Sequence, residues 1–204
     1  LITPLLSALD KKNYLKPSPI QAKSIPHLLA GKDIFGCAQT GTGKTAAFTL
    51  PILQLMEASK TNQIRRTIKA LILAPTRELA TQISENVRDY GANLNFTHAT
   101  VFGGVSQTQQ VNALRRGIDI LIATPGRLLD LMQQGFVNLN HVEYFVLDEA
   151  DRMLDMGFIN DMRKVIAKLP AKKQTMFFSA TAAPNIMQLA NTILKNPVSV
   201  SVNP

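Results

Sequence analysis

The sequence predicts an α/β fold with a mostly parallel central sheet flanked by helices on both faces. Short apolar runs, rich in β-branched and aromatic residues, alternate along the chain with amphipathic stretches of helical period. Most of these runs are continuous rather than alternating, which is typical of parallel strands buried on both faces. Polar or glycine-rich clusters follow six of them, as expected of loops that leave one edge of such a sheet.

Seven apolar runs are predicted to form the strands. In chain order they are Asp33–Cys37, Ala70–Ala74, Ala99–Phe102, Asp119–Ala123, Tyr144–Leu147, Thr175–Phe178 and Val198–Val202. The polar and basic stretch Ser59–Lys69, after the first of them, predicts an exposed loop.

Local signals mark several of the predicted helices. Apolar residues recur at every fourth position of 79–87 and form one face. Ser106, with Gln109 three residues later, predicts a capped helix start. Another helix is predicted to have Pro125 in its first turn and to end at Gly135. The methionines are predicted to lie in the core, Met153 and Met156 among them.

A glycine-rich loop follows the first predicted strand and reads Ala38-Gln39-Thr40-Gly41-Thr42-Gly43-Lys44-Thr45. Glycines let backbone N–H groups curl around a phosphate, and the positive end of the helix that follows points at the same anion. We expect Lys44 to reach the terminal phosphates and the Thr45 hydroxyl to ligate Mg²⁺. The alternative is an ordinary glycine-rich turn, and the Lys-Thr pair argues against it.

Acidic residues follow directly on the fifth predicted strand, in the order Asp148-Glu149-Ala150-Asp151. Asp148 is expected to hold Mg²⁺ through water, because this ion gives up its hydration shell reluctantly. The alternative is that acids favour the positive end of a helix, which explains Asp151 but not acids at the end of a strand. A phosphoryl-transfer site needs a phosphate cradle together with acids for the metal and the attacking water. The two stretches together predict a nucleotide hydrolase.

Bulk composition indicates a globular protein. The 204 residues include 46% hydrophobic and 18% charged residues, which excludes a disordered chain. A net charge of +8 suits a polyanionic partner, although a lysine-rich surface explains it equally well. The single cysteine, Cys37, is expected to be a buried packing residue rather than a nucleophile, in a reducing compartment. No run approaches the ~18 apolar residues of a membrane span, so we expect no membrane partner and a cytoplasmic location.

Four further polar or glycine-rich clusters follow predicted strands, in addition to the phosphate loop and the acids. They are Pro75–Glu78, Gly103-Gly104, Thr124–Arg127 and Ser179–Thr181. Any one of these clusters could be an ordinary turn after a strand. Six in succession, two of them with phosphate chemistry, predict a ligand-binding edge.

Taken in order, these motifs resemble those of the bacterial-type DEAD-box RNA helicases, specifically the first of their two RecA-like domains. The matching segments are Pro17–Gln21, Ala38–Thr45, Pro75–Ala80, Gly103-Gly104, Thr124–Arg127, Asp148–Asp151 and Ser179–Thr181. The resemblance implies a RecA-like P-loop fold in which residues 1–204 form domain 1 of an expected two, and a C-terminal RecA-like domain absent from this chain. Since the sequence begins at Leu1 rather than Met, we expect it to be part of a longer protein.

The resemblance also implies that the chain binds ATP with Mg²⁺. Beside the phosphate loop, the residues implied for the nucleotide are Tyr14, Lys16, Pro17 and Gln21. Gln21 would read the adenine edge and Tyr14 would stack on the base, while Glu149 would orient or deprotonate the attacking water. The open alternative for Gln21 is a capping box with Ser18. Two residues depart from the usual motifs, with Ala38 and Asn13 each standing in place of a glycine.

RNA backbone binding is implied for a further set of residues. They are Pro75, Thr76, Arg77, Gly103, Gly104, Thr124, Pro125, Gly126 and Arg127. Hydroxyl and N–H donors near helix N-termini suit sugar and phosphate groups. A salt bridge is the alternative for Arg77 and, less well, for Arg127.

Three residues are implied to couple hydrolysis to strand separation, namely Asp151, Ser179 and Thr181. For Thr181 the alternative is capping of a helix that begins near Pro184.

The implied function is that of helicase core domain 1, which hydrolyses ATP to remodel or unwind short RNA duplexes when joined to domain 2. No arginine finger, worth ~10³–10⁵ in rate, follows the Ser-Ala-Thr motif. The isolated domain is therefore expected to be nearly inactive as an ATP hydrolase. The alternatives are a nucleotide-gated RNA-binding clamp without unwinding activity and, more distantly, a P-loop ATPase acting on protein or DNA.

Overall fold

The computed structural model describes residues 1–62 and 65–202. In that part of the chain one sheet contains β1 (Ile34–Cys37), β2 (Ala70–Leu73), β3 (His98–Val101), β4 (Ile120–Ala123), β5 (Tyr144–Leu147), β6 (Gln174–Ser179) and β7 (Val198–Ser201). All neighbouring strands are parallel, and the order across the sheet is β3-β4-β2-β5-β6-β1-β7. The predicted parallel sheet is confirmed, and each predicted strand bound lies within one residue of the observed one.

In the described chain, two helices precede the first strand and the others lie between successive strands. The helices are α1 (Thr3–Lys11), α2 (Pro19–Leu29), α3 (Lys44–Ala58), α4 (Arg77–Tyr90), α5 (Thr108–Arg116), α6 (Pro125–Gln133), α7 (Ala150–Asp155), α8 (Ile159–Ala167) and α9 (Pro184–Ile193). Within the described residues, none of them is long and apolar enough to span a membrane.

Two hydrophobic cores lie on opposite faces of the sheet. Along β2, Ala70 and Ile72 belong to the core beneath α1 to α4, whereas Leu71 and Leu73 belong to the core beneath α5 to α9. This division follows from the two-residue period of a strand. Because both faces are covered, β2, β4, β5 and β6 are buried along their whole length. The prediction of helices on both faces is therefore confirmed.

A glycine allows close packing between β1 and β6. Gly36 is aligned with Phe178, and a Cβ atom built on Gly36 would lie 2.6 Å from Cδ1 of that ring. The space left by the missing side chain admits the ring of Phe178, whose centroid lies 5.7 Å from that of Phe48 in α3.

Two local predictions are wrong. The helix expected at Ser106 begins at Thr108, because the Ser106 hydroxyl accepts a hydrogen bond from the Thr108 N–H at 3.3 Å, and this turn replaces the predicted capping box with Gln109. Met156 is 48% exposed rather than buried, since α7 ends at the preceding residue, whereas Met153 is fully buried as predicted.

Other local predictions agree with the structure. Gly135 follows the end of α6 with a positive φ of 85°. Ile83 and Val87 are buried on the apolar face of α4. The predicted loop 59–69 contains no helix or strand in its described part, where Ile68 is buried, and its residues 63 and 64 lie outside the described residues.

We expect the half-buried His98 of β3 to make stability depend on pH. Burial, aided by repulsion from Arg88, lowers the pKa of its imidazole below its ordinary value of about 6.5. Below pH ~6.5 the unfolded chain therefore binds more protons than the folded chain, so the free energy of unfolding falls as the pH drops. Urea unfolding at pH 7.5 and at pH 5.5 should show a smaller loss in His98→Gln than in the parent chain. The exposed His141 provides the control His141→Gln, and equal losses in all three proteins would contradict the prediction.

Candidate functional site

The parallel sheet brings all six strand-end clusters to one edge, and the strand order divides them into two groups. The phosphate loop, the acids and the Ser-Ala-Thr segment follow β1, β5 and β6, which are neighbours in the sheet. The clusters with predicted RNA contacts follow β2, β3 and β4, which form the other half. We call these two groups the hydrolysis half and the RNA-facing half of the edge.

The phosphate loop is shaped for close backbone approach. Gly43 has a φ of 87°, and a Cβ atom there would lie 2.6 Å from Nε2 of Gln21. Helix α3 begins at the next residue, and no side chain caps its N-terminus. The N–H groups of its first turn are therefore free of side-chain partners and can face an anion. The loop is tied to the end of β6, because the Ala38 N–H donates to the Ser179 carbonyl at 3.0 Å.

The two predicted phosphoryl-transfer residues meet in a buried ion pair. Lys44 Nζ lies 3.1 Å from Oδ1 of Asp148, and the two residues are 5% and 0% exposed. Burial raises the pKa of the Asp148 carboxyl above its ordinary value, while the positive charge of Lys44 opposes that rise.

Asp148 also has unused acceptor capacity. Neither of its oxygens accepts a well-directed hydrogen bond in the described part of the chain. A buried carboxylate in this state fits the hydration shell of Mg²⁺, which prefers oxygen ligands and retains water. Thr45, in the first turn of α3, supplies a hydroxyl oxygen from the end of the phosphate loop.

Glu149 has a left-handed backbone, with φ of 52° and ψ of 52°, at the turn from β5 into α7. This conformation costs about 1–2 kcal/mol in a residue with a side chain, and such cost is concentrated at functional sites. Asp151 lies in the first turn of α7, and its buried Oδ1 has no hydrogen-bond partner among the described residues.

The Ser-Ala-Thr segment forms a short turn of its own. Ser179 ends β6 fully buried, and its hydroxyl accepts a hydrogen bond from the Thr181 N–H at 3.3 Å. The capping alternative for Thr181 is wrong, because α9 has Ala183 at its N-cap and no side chain caps it. The Cys37 thiol is only partly buried, 3.6 Å from the Ala180 carbonyl oxygen.

Gln21 connects α2 to the phosphate loop. Its amide oxygen accepts from the Ser18 N–H at 3.0 Å, and its Nε2 donates to the Gly43 carbonyl at 3.1 Å. The capping box with Ser18 is therefore present at the start of α2. The Gly43 contact ties the amide to the phosphate loop.

A mainly apolar cavity of about 360 Å³ adjoins Gln21, and its lining includes Tyr14, Lys16 and Pro17. This volume falls in the range of small-ligand pockets. Asn13 has a φ of 58°, and asparagine tolerates this region better than most residues do. The replacement of the usual glycine at position 13 is thereby explained.

The position of Tyr14 is set by a cluster with α4. Lys12 Nζ lies 5.7 Å from the Tyr14 ring and 5.1 Å from the Tyr90 ring, and it pairs with Asp89 at 2.9 Å. Tyr14 itself is 48% exposed beside the cavity.

A substitution at Gln21 separates its two predicted roles. Gln21→Ala removes the hydrogen bonds to Ser18 and Gly43, so we expect the free energy of unfolding to fall by about 1–2 kcal/mol. If the amide also reads adenine, the preference for ATP over GTP in nucleotide titrations should collapse. Ser18→Ala is the matched control, because it removes the Ser18 hydroxyl from the same helix start but leaves both hydrogen bonds of the Gln21 amide. A destabilised Gln21→Ala with unchanged nucleotide preference would leave capping as its only role.

The RNA-facing half presents hydroxyls and guanidinium groups at helix starts. Thr76 caps α4 by accepting from the Leu79 N–H at 3.2 Å. The Arg77 guanidinium carbon lies 4.8 Å from the centre of the Phe102 ring. Among the residues with described side chains Arg77 forms no ion pair, so the salt-bridge alternative is wrong. Thr124, at the N-cap of α6, uses no side-chain hydrogen bond there.

Arg127 has polar but uncharged partners. Its Nη1 donates to Oε1 of Gln110 at 3.0 Å, and its Nη2 donates to the Val105 carbonyl at 2.8 Å. Gln110 in turn donates to the Phe102 carbonyl at 3.0 Å. The salt-bridge alternative is thus wrong here too within the described chain. Gln110 is not among the predicted site residues, because a glutamine in an amphipathic helix carries no signal of its own.

Comparison with known proteins is consistent with this arrangement. The profile of the DEAD/DEAH box helicase family matches residues 18–189. The chain is 45% identical over 204 residues to the "ATP-dependent RNA helicase DeaD" of Escherichia coli K12, covering 99% of this chain and 32% of that protein. It is 42% identical to the "DEAD-box ATP-dependent RNA helicase CshA" of Streptococcus pneumoniae, with 97% of this chain and 37% of that protein covered.

A solved structure has the same fold. The crystal structure of a hypothetical ATP-dependent RNA helicase from Sulfolobus tokodaii superposes with a TM-score of 0.90 at 35% identity, over 99% of this chain and 57% of that one. The chain spans about a third of the length of the curated relatives that it matches.

Proposed function

Because the chain belongs to the DEAD/DEAH box helicase family, we propose that residues 1–204 are RecA-like domain 1 of an ATP-dependent RNA helicase. The observation that carries this proposal is the buried ion pair between Lys44 and Asp148, beside a helix N-terminus that no side chain caps. A phosphate-loop lysine and a strand-end acid in direct contact are the two halves of a phosphoryl-transfer site.

In the hydrolysis half, Lys44 binds the terminal phosphates together with the N–H groups at the start of α3. Thr45 and Asp148 hold Mg²⁺, which when bound neutralises charge on the phosphates. Glu149 orients the attacking water or takes its proton. The left-handed turn fixes where its backbone leaves the sheet, and this geometry supports a role in positioning.

The base of ATP occupies the cavity beside Gln21. The amide of Gln21 reads the adenine edge, Tyr14 contributes an aromatic face, and Lys16 and Pro17 complete the wall. The loop of Ala38, Gln39, Thr40, Gly41, Thr42 and Gly43 holds the phosphates, and its last residue, Gly43, accepts a hydrogen bond from the Gln21 amide in this wall.

The RNA-facing half binds the sugar–phosphate backbone of RNA. Its residues share positions at strand ends and helix starts, and they are Pro75, Thr76, Arg77, Gly103, Gly104, Thr124, Pro125, Gly126 and Arg127. Hydroxyl, N–H and guanidinium donors fix the register of a backbone without reading its sequence. The net charge of +8 favours the same partner.

Asp151, Ser179 and Thr181, all in the hydrolysis half, couple hydrolysis to strand separation. The Ala38–Ser179 hydrogen bond supports this role, because it joins the phosphate loop to the Ser-Ala-Thr segment. Remodelling or unwinding of short RNA duplexes then requires the C-terminal RecA-like domain, which completes the site. A cytoplasmic location stays a prediction.

The test is ATP hydrolysis by the full-length protein, measured with a single-stranded RNA, with DNA of the same sequence and without nucleic acid. We expect stimulation by RNA alone, together with displacement of a strand from a short RNA duplex. RNA-stimulated hydrolysis without displacement would favour the nucleotide-gated clamp. Stimulation by DNA, or by neither nucleic acid, would contradict the proposal. Residues 1–204 alone should give negligible turnover.

A further inference from the structure

The Gly103-Gly104 loop is fastened at both ends by side chains from two different helices. Gln110 of α5 holds the Phe102 carbonyl on one side of the glycines, and Arg127 of α6 holds the Val105 carbonyl on the other. The two side chains also bond to each other, so the loop, α5 and α6 form one hydrogen-bonded unit. We call this unit the Gln110–Arg127 brace.

The brace engages one N–H donor on each terminal nitrogen of Arg127, and these two bonds hold the guanidinium in place. Gln110 is only 7% exposed, and both the nitrogen and the oxygen of its amide are hydrogen-bonded. If Arg127 turned away to a phosphate, the Gln110 oxygen and the Val105 carbonyl would both lose a partner. Leaving the buried Gln110 oxygen unpaired costs about as much as one new charge-assisted hydrogen bond to phosphate contributes, so turning away brings no net gain.

The glycines, by contrast, are open. A Cβ atom built on either Gly103 or Gly104 would meet nothing within 4 Å. In the described part of the chain, neither of their backbone N–H groups donates a hydrogen bond. Open space together with free N–H donors suits the close approach of phosphate oxygens.

We infer that Arg127 is a positioning residue, which acts on RNA through the Gly103-Gly104 loop, and that Gln110 is its working partner. The contact with the RNA backbone is then made by the N–H groups of the loop and not by the guanidinium of Arg127. This inference rests on the proposed RNA-facing role of this half of the edge, and it replaces the direct contact proposed above for Arg127 with an indirect one.

The salt dependence of RNA affinity distinguishes positioning from direct contact. Each neutralised phosphate adds about 0.7 to the slope of log affinity against log salt for a single strand. Loss of a direct contact therefore makes the slope shallower, whereas loss of a positioning residue lowers affinity at an unchanged slope. Lysine replaces a phosphate contact tolerably but cannot bridge two fixed acceptors as a guanidinium does.

The experiment measures the affinity of the full-length protein for a single-stranded RNA, with saturating ATP analogue, at several salt concentrations. The variants are Arg127→Lys, Arg127→Gln and Gln110→Met. If Gln110→Met does not fold, Gln110→Glu takes its place. Arg116→Gln, an exposed position at the end of α5, controls for loss of one positive charge. ATP affinity and thermal midpoint show whether the hydrolysis half remains intact.

We expect all three variants to bind RNA about tenfold more weakly than the parent, with parallel salt slopes and unchanged ATP affinity. A slope for Arg127→Gln that is shallower by about 0.7 overturns the inference. So does RNA affinity like that of the parent in Gln110→Met or Arg127→Lys. Absence of RNA binding by the parent protein would instead contradict the proposed function.

Discussion

Lys44→Met is expected to weaken ATP binding by about a hundredfold, since charge-assisted hydrogen bonds to phosphate contribute about 1.5–3 kcal/mol each. Lys44 is the buried cation of the hydrolysis half, and methionine keeps its length without the charge. Calorimetric titration of the full-length protein with Mg·ATP measures the change. Lys168→Met, which removes an exposed lysine of the C-terminal end of α8, is the control. ATP affinity equal to that of the parent would remove Lys44 from the phosphate site.

The same variant should also lose stability. Removing one partner of a buried ion pair costs about 3–5 kcal/mol, because the other charge is left unpaired. The Asp148 carboxyl avoids part of this cost by binding a proton, since burial already raises its pKa and Lys44 is the charge that lowers it. A carboxyl whose pKa is higher in the folded state than in the unfolded state stabilises the folded state at low pH. This contribution is lost as the pH rises through the folded-state pKa.

Thermal unfolding at pH 5 and pH 8 should therefore show the larger destabilisation of Lys44→Met at pH 8. The double variant Lys44→Met/Asp148→Asn removes both charges, so it should recover stability without recovering ATP affinity. A double variant no more stable than the single one would show that the ion pair is not the cause of the loss.

Glu149→Gln is expected to slow ATP hydrolysis by about 10²–10⁴-fold while ATP affinity stays within a factor of about three, because it removes a general base but no phosphate or metal ligand. Glutamine is the same size as glutamate and bears the same cost in the left-handed region, so stability should not change. Single-turnover hydrolysis by the RNA-bound full-length protein isolates the chemical step.

A matched control for this variant is Asp155→Asn, which removes an exposed carboxylate at the other end of α7. Asp155→Asn should hydrolyse ATP like the parent. Near-normal turnover by Glu149→Gln would exclude the proposed catalytic role of this carboxylate and leave its strained backbone without a functional explanation.

Much of the fold was predictable because the signals are local. A continuous apolar run such as Tyr144–Leu147 can be stable only between two covered faces, so it indicates a parallel strand without further context. Once all the strands are parallel, the clusters after them must share an edge. Positions of motifs in the chain therefore translate directly into positions in space.

The spatial order of the strands could not be read in this way. Periodicity identifies a strand but not its neighbour, so the separation into a hydrolysis half and an RNA-facing half emerges only from β3-β4-β2-β5-β6-β1-β7. The pairing of Lys44 with Asp148 depends on this order, because their two strands are separated in the sheet by β6 alone.

The hydrogen-bond partners of Arg127 could not be predicted from the sequence for another reason. Charge patterns suggest ionic partners, but the guanidinium bonds to a neutral amide and a carbonyl. Such acceptors occur at every position of a chain and give no signal in a sequence. Met156 shows the same limit at a helix end, where the exposure of a side chain changes within one residue.

The close contact between Gly36 and the Phe178 ring fixes the register between β1 and β6. A slip of one residue would bring a side chain, from Phe35 or Cys37, against that ring, where only a hydrogen atom fits. It would also shift one strand by about 3.3 Å past the other.

The loops that follow these two strands, beginning at Ala38 and Ala180, would then start at different heights. A misplacement of about 1 Å is already enough to cost about a hundredfold in rate at a reacting centre. The absence of a side chain at Gly36 therefore aligns the two loops that follow β1 and β6, although neither Gly36 nor Phe178 belongs to either loop.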